Sequence, residues 1–256
     1  MSFWPAGAAG ALSLTFDDGM RSQLEFGLPQ LNARKLRATF YLNPADQEEG
    51  GQQVPWRERL ERWLPAHQQG HEMGNHSIGH PCSLNVNASW APHNLLRMTL
   101  ADIATDLDEA QRRLEQVFPA QKATSFAYPC YESTIGQGIR RASYVPLVAR
   151  RFVAARARGE LRGELANDPL YCDLHHLSSW NVERQAAAFL IGLAEQAAVH
   201  GLWGIYTFHG IQEGHLAVTD VDFVDFLDHL ARRSAALWVA PVAEVAEYIR
   251  SAQKAG

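Results

Sequence analysis

The chain has 256 residues, 46% of them hydrophobic and 20% charged, with a formal net charge of −5. This length and composition suit one soluble α/β barrel, and we expect a single domain over residues 1–256. The net negative charge gives no reason to expect a nucleic-acid partner or an anionic membrane, and no apolar run is long enough to span a bilayer.

The N-terminal region and the cysteines bear on the compartment. The first residues lack a basic segment followed by an apolar one, so the sequence predicts a cytoplasmic protein unless the N-terminus was trimmed. The three cysteines, Cys82, Cys130 and Cys172, are not closely spaced. They indicate a reducing compartment or at most one disulfide, and they exclude a thiolate zinc site.

Strand-like and helical patterns alternate along the chain. Strands are predicted over 12–16, 38–42, 125–128, 202–208 and 236–240. Helices are predicted over 56–70 and closed by Gly70, within 94–118, over 182–200 and stopped by Gly201, over 220–234, and after Pro241. This alternation predicts a parallel sheet, and the length favours a barrel over an open sheet.

Two segments differ in how clearly they are patterned. The helix within 94–118 has a single apolar stripe, formed by Leu96, Leu100, Ile103, Leu107, Ala110, Leu114 and Val117. The segment 140–176 is basic and unpatterned, and we interpret it as solvated surface.

The first candidate site is the pair Asp17 and Asp18 in "TFDDG", directly after a strand. Two adjacent carboxylates repel each other unless a cation lies close by. The alternative is a plain turn or a helix N-cap, where Asp-Asp-Gly is common.

The second is "GHEMGNHSIGHP", which places His76 and His80 four residues apart. On a helical turn this spacing puts two imidazoles on one face, as two ligands of one metal require. Two histidines and one aspartate leave open positions on a divalent ion, which is typical of a catalytic site. Chance pairing in a chain with 11 histidines is the alternative. His71 and Glu72, just upstream, are interpreted as strand residues that support the site.

Three weaker candidates also follow strand-like runs. They are His209 in "YTFHGI" as a catalytic loop residue, Cys130 and Tyr131 in "FAYPCYE" as a source of backbone amides for an oxyanion, and Trp180 in "LSSWN" as a sugar- or acyl-contacting aromatic. The alternatives are a structural loop histidine, a plain turn and a buried core tryptophan. The carboxyl ends of barrel strands meet on one face, so we expect these residues to converge.

Together, "TFDDG" and "HSIGHP", with the looser "FAYPCY", "SSW" and "TFHG", resemble the polysaccharide deacetylase family, also called carbohydrate esterase family 4 or the NodB-homology domain. The resemblance spans residues 12–246. It implies a distorted (β/α) barrel of about seven strands and one divalent metal, with zinc expected and cobalt, manganese or nickel possible. It also implies a set of roles: Asp18, His76 and His80 as ligands, Asp17 as general base and His209 as general acid.

The chain departs from the family pattern at two places. Ala127 stands where the third motif usually has an arginine that orients the base. Ser178 and Ser179 precede Trp180 where the fourth motif usually has an aspartate that tunes the acidic histidine. Glu132, Arg140 and Asp173 are candidates for replacing them.

The resemblance therefore implies a metal-dependent hydrolase that removes N- or O-linked acetyl groups from a carbohydrate. Its partner would be an acetylated carbohydrate or a small N-acyl compound, with no nucleic acid and no membrane; the oligomeric state stays open. One alternative is a hydrolase of a small amide or ureide on the same barrel. The other is a carbohydrate binder that keeps the metal without turnover, although such a binder needs neither Asp17 nor His209.

Overall fold

A computed structural model of the chain describes residues 2–86, 91–158 and 166–255. The strands in these ranges are β1 (Gly10–Asp17), β2 (Thr39–Leu42), β3 (Gln47–Glu49), β4 (Gln52–Val54), β5 (Glu72–Asn75), β6 (Phe126–Ala127), β7 (Thr134–Ile135), β8 (Ala142–Ser143), β9 (Ala155–Arg156), β10 (Trp180–Asn181), β11 (Trp203–Phe208) and β12 (Leu237–Val239). The α-helices are α1 (Leu28–Ala33), α2 (Trp56–Glu61), α3 (Leu64–Gln68), α4 (Leu100–Val117), α5 (Val145–Ala149), α6 (Ala187–His200), α7 (Asp220–Arg232) and α8 (Val242–Ala255).

The main sheet is parallel and strongly curved. Its strands run in the order β10-β11-β1-β2-β5-β6-β9, and β12 pairs with the start of β1. A parallel bridge between Arg156 and Leu177 connects β9 to the segment that leads into β10, so the two ends of the sheet approach each other. This is the distorted barrel that the family resemblance implied. The pairs β3–β4 and β7–β8 form separate antiparallel hairpins.

The two faces of β1 have different chemistry. Leu12, Leu14 and Phe16 belong to the largest apolar cluster, which includes residues of α6 and α7. The alternate side chains, Thr15 and Asp17 among them, are buried on the opposite face, because successive residues of a strand point to opposite sides. The barrel interior is therefore partly polar, and its polar face leads to the end of β1.

The predicted helix over 56–70 is wrong as one continuous element. It forms two short helices, α2 and α3, with Pro65 in the first turn of α3. Proline lacks the N–H that a helix interior needs and fits a first turn, so it starts a new helix at this point. Gly70 follows α3 with φ of +86°, consistent with the predicted stop.

The helix within 94–118 begins later than its apolar stripe. Thr99 and Asp102 form a capping box that starts α4 at Leu100. Leu96 therefore lies outside the helix, and both Leu96 and Leu100 are 39% exposed. The remaining stripe residues are buried as expected: Ile103, Leu107, Ala110, Leu114 and Val117. In the same way α6 begins at Ala187 rather than at Val182, which is buried in the loop before it.

The interpretation of 140–176 as solvated surface is wrong for its centre. This segment contains α5 and β9, and Arg156 in β9 is fully buried. Residues 159–165 of the segment lie outside the described residues. Of the helices that the structure describes, none is both long enough and apolar enough to cross a membrane.

Candidate metal and catalytic site

The two aspartates leave β1 in different directions. Asp17 is the last residue of β1 and is 4% exposed. Asp18 has a left-handed backbone with φ of +72°, a conformation in which aspartate is enriched among non-glycine residues. Its side chain is 38% exposed. The turn therefore separates a buried carboxylate from an accessible one.

The accessible carboxylate lies beside the two histidines. Asp18 Oδ1 is 3.6 Å from His76 Nε2 and 3.6 Å from His80 Nε2. The candidate ligand atoms of these residues all lie within 4.8 Å of one another. An ion bound tetrahedrally at 2.0–2.2 Å would hold its ligand atoms about 3.4 Å apart, so the donor set fits a divalent metal with an open position.

A hydrogen bond to the backbone fixes the orientation of the His76 ring. Its Nδ1 lies 2.8 Å from the carbonyl oxygen of Ala127, which directs Nε2 towards Asp18. Burial lowers the pKa of His76 to about 4, which keeps the ring in the neutral form that binds metals.

The histidine pair lies in a loop rather than on the helical turn that its spacing suggested. Ser77 and His80 have φ of +63° and +43°. The Asp106 carboxylate accepts the amides of Ile78 at 2.9 Å and Gly79 at 2.8 Å, and it holds the loop in this shape. The loop brings the two imidazoles together, with ring centroids 4.9 Å apart.

Asp17 is held by an arginine that the sequence analysis missed. Arg156 Nη2 lies 2.6 Å from both carboxylate oxygens of Asp17, and Nη1 donates to Thr207 Oγ1 at 2.8 Å. Burial alone would raise the pKa of Asp17. The Arg156 guanidinium outweighs burial, so this pKa is lowered and the carboxylate is ionised at neutral pH.

Two aromatic rings pack against the guanidinium of Arg156. Arg156 lies 5.1 Å from the centre of the Tyr41 ring and 5.5 Å from that of Tyr131. A Cβ at Gly74 would lie 2.3 Å from the Tyr41 ring, so only glycine lets this ring cross β5. The guanidinium is thus positioned by packing as well as by its ion pair.

Arg156 occupies the position next to Ala127 in the sheet, because the two residues pair in register on β9 and β6. The three candidates named from the sequence have other surroundings. Glu132 accepts the amide of Ser83, Asp173 accepts that of His175, and Arg140 is exposed. The local sequence around Arg156 does not indicate this role, since only the pairing of β6 with β9 places Arg156 beside Ala127.

His209 faces both aspartates. Its Nε2 lies 3.9 Å from Asp17 Oδ2 and 4.0 Å from Asp18 Oδ2. Its Nδ1 is buried and has no hydrogen-bond partner among the described residues. Ser178 and Ser179 instead donate to the carbonyl oxygens of Arg158 and Ala157, so neither hydroxyl takes the place of the family's aspartate.

The remaining predicted site residues are Cys130, Tyr131 and Trp180, and the first two lie on one loop. Cys130 is joined to Cys82 in the one disulfide that the sequence allowed, and Cys172 is free. The Tyr131 amide donates to the Tyr128 carbonyl at 2.9 Å, which leaves the Cys130 amide as the oxyanion candidate of the pair.

The third of these residues, Trp180, packs against the sheet. Its ring lies against Gly204 and Tyr206 of β11 and joins the largest apolar cluster. These contacts match the core-tryptophan alternative.

Two cavities meet at Asp18. One has a volume of about 690 Å³ and extends towards Trp63, and the other has a volume of about 850 Å³ and extends past His80. The β3–β4 hairpin lies between them: Glu49 lines the first cavity and Glu48 the second. The alternation of side chains along β3 explains this division.

An Asp-His-His cluster beside an arginine-held aspartate, at the end of a barrel strand, defines a candidate hydrolytic site. A model of the polysaccharide deacetylase family matches residues 6–144, more than half of the chain. The chain belongs to this family, which confirms the predicted family and its class, a hydrolase that acts on acetyl groups of carbohydrates. A search of curated proteins found no match.

Solved structures agree on the fold. A protein from Pseudomonas aeruginosa with a polysaccharide deacetylase assignment matches with a TM-score of 0.66 and 13% identity, covering 98% of this chain and 94% of its own. The Xyl-CE4 domain of a xylanase from the hindgut metagenome of Trinervitermes trinervoides matches at 0.54 and 16%, covering 93% and 90%. A family 4 acetyl xylan esterase from Clostridium thermocellum, in complex with cobalt, matches at 0.51 and 17%, covering 92% and 89%.

Proposed function

We propose that the chain is a metal-dependent deacetylase that hydrolyses N- or O-linked acetyl groups of a carbohydrate, with Asp17 as general base and His209 as general acid. One observation carries the proposal. A buried carboxylate, held ionised by Arg156, lies next to an Asp-His-His cluster whose aspartate is accessible.

Asp18, His76 and His80 would hold one divalent ion. Zinc is expected, and cobalt, manganese or nickel fit the same donors. Such an ion would lower the pKa of a water molecule and polarise the acyl oxygen of the substrate.

The surroundings of the two aspartates support different roles for them. Both oxygens of Asp17 contact Arg156, whereas Asp18 Oδ1 faces both imidazoles. Asp17 is therefore poorly placed to bind a metal and well placed to accept a proton from the attacking water.

His209 and Cys130 complete the proposed mechanism. His209 Nε2 lies 3.9 Å from Asp17 Oδ2 and 4.0 Å from Asp18 Oδ2, and it would donate a proton to the departing amine or alcohol. The Cys130 amide would donate to the developing oxyanion. Free amine or alcohol and acetate are the products.

The cavities on both sides of Asp18 leave room for a carbohydrate that extends past the reacting acetyl group. The Asp17–Arg156 ion pair disfavours the alternative of a carbohydrate-binding protein without catalytic activity. Burying two charges is costly, and a binding site has no use for an ionised base.

Two matched variants test this proposal. We expect Asp17→Asn to keep its metal and to lose turnover by about 10²–10⁴-fold, the usual contribution of a general base. Asp18→Asn should lose metal, because a neutral amide is a poorer ligand for a divalent cation. The assays are elemental analysis and acetate release from acetylated chito- and xylo-oligosaccharides and small N-acyl compounds.

Equal metal loss in both variants would make both carboxylates ligands and refute Asp17 as the base. Release from the small N-acyl compounds alone would favour the small-amide alternative. A metallated wild type that binds a glycan and releases no acetate would favour the binder.

A further inference from the structure

A buried glutamine connects the two loops that carry the proposed base and acid. Gln23 follows the β1 turn, starts a π-helical turn (Gln23–Gly27) and is fully buried. Its Nε2 lies 2.6 Å from the carbonyl oxygen of Asp17 and 3.0 Å from that of His209. Carbonyl oxygens only accept hydrogen bonds, so the NH₂ group must face them, and both of its hydrogens are used.

Gln23 acts where the pairing of two strands ends. β1 and β11 pair in register up to Phe16 and Phe208. Asp17, the last residue of β1, and His209, the residue after β11, come next, and no ladder pair joins them. The Gln23 carboxamide bridges their carbonyls and so continues the connection past the end of the ladder.

Neighbouring contacts reinforce this link. The Ser22 amide donates to Glu213 Oε2 at 2.7 Å, and Ser22 Oγ accepts the amide of Ile211 at 3.0 Å. The segment after β1 is therefore tied to the segment after β11 at three points.

The orientation of the glutamine has a cost that points to its role. Gln23 Oε1 is buried and has no hydrogen-bond partner among the described residues. Leaving a buried oxygen without a hydrogen-bond partner in the protein is unfavourable. An apolar side chain could fill the same space without this penalty, but it could donate to neither carbonyl oxygen.

We propose that Gln23 is a positioning residue that fixes the Asp17 and His209 backbones relative to each other. This inference rests on the proposed function for the roles of base and acid. In the structure His209 Nε2 lies 3.9 Å from Asp17 Oδ2, and a displacement of 1 Å in such a site can cost about 10²-fold in rate.

The first test needs no substrate. Gln23→Met keeps the approximate length of the side chain and removes both donors. We expect the amides of Ile211 and Gln212 to exchange hydrogen at least about tenfold faster in this variant, because the loop loses one of its three ties to the segment after β1. Gln30→Met is the matched control, since Gln30 lies on α1 and its carboxamide accepts a hydrogen bond from Arg34 Nη1 at 2.9 Å, away from the two loops. Unchanged exchange in Gln23→Met, or the same increase in Gln30→Met, would overturn the proposal.

The second test separates positioning from general support of the fold. With the best substrate of the wild type, Gln23→Met should lower kcat by about 10- to 100-fold, with KM within about twofold and metal content unchanged. Gln23→Glu should not fully restore kcat, because a carboxyl group has at most one hydrogen to donate and the carboxamide donates two.

An unchanged kcat, or a fall in kcat that matches a loss of metal, would overturn the positioning role. A wild type that releases no acetate would refute the proposed function instead, and the exchange measurement would still decide whether Gln23 holds the two loops together.

Discussion

Arg156 shows how one residue sets the chemistry of its neighbour. Both carboxylate oxygens of Asp17 contact its Nη2, and both side chains are at most 5% exposed. The guanidinium neutralises a charge that burial would otherwise disfavour, and it keeps the carboxylate free of its proton. The wider site depends on this pair, because Asp17 can act as a base only while it is ionised and held in place.

We therefore expect Arg156→Met to impair both activity and stability. Removing one partner of a buried ion pair leaves an uncompensated charge, which costs about 3–5 kcal/mol in the free energy of unfolding. Acetate release at full metal occupancy should fall by about 10- to 100-fold, as is usual when a supporting partner is lost. Urea unfolding and the acetate assay measure the two effects.

Arg140→Met is the matched control, since Arg140 is an exposed arginine of the same segment. It should change neither quantity. Wild-type activity and stability in Arg156→Met would show that Asp17 does not depend on this arginine. Arg156→Lys should be more stable than Arg156→Met and less stable than the wild type. Lysine restores the positive charge but lacks the several N–H donors of a guanidinium.

At the scale of elements, the site is built from loops that are joined to each other. The Cys82–Cys130 disulfide connects the loop after His80 to the loop that carries the Cys130 amide. Its two cysteines are 48 residues apart in sequence. A cross-link over this separation restricts the unfolded chain and stabilises the fold by about 4 kcal/mol in the chain-entropy model.

Replacing both cysteines, as in Cys82→Ser with Cys130→Ser, should therefore lower the free energy of unfolding by about 2–4 kcal/mol. The measurement is urea unfolding under non-reducing conditions. Cys172→Ser is the control, because Cys172 is a free thiol outside the cross-link. If the double variant unfolded at the wild-type urea concentration, the disulfide would contribute nothing to stability.

Element boundaries also show where local sequence is sufficient. The strand patterns over 12–16 and 202–208 predicted the bounds of β1 and β11 to within two residues. A buried strand can be recognised from a short run of apolar residues alone. The stripe over 94–118 predicted a helix but not its start, since the Thr99 capping box begins the helix at Leu100 and leaves Leu96 outside it. Pro65 divided another predicted helix for a backbone reason that the apolar pattern does not express.

For the whole molecule, the order of elements was predictable and the contacts between distant strands were not. The alternation of strands and helices predicted a parallel barrel. Because strand ends meet on one face of a barrel, it also predicted that Asp17, His76 and His209 lie close together, as the structure shows. Arg156 could not be found in this way. Its role depends on the register between β6 and β9, which are two residues long each, and on the packing of Tyr41 across Gly74.

The central claim is that one metal ion, bound beside Asp17, is required for deacetylation. The most direct test is to remove bound metal with a chelator, add zinc or cobalt back in steps, and follow the rate of acetate release against metal bound per chain. We predict a rate near zero in the metal-free protein that rises in proportion to bound metal and levels off at about one ion per chain, because the site offers one set of three ligands. Acetate release by the metal-free protein at the fully loaded rate would contradict the claim.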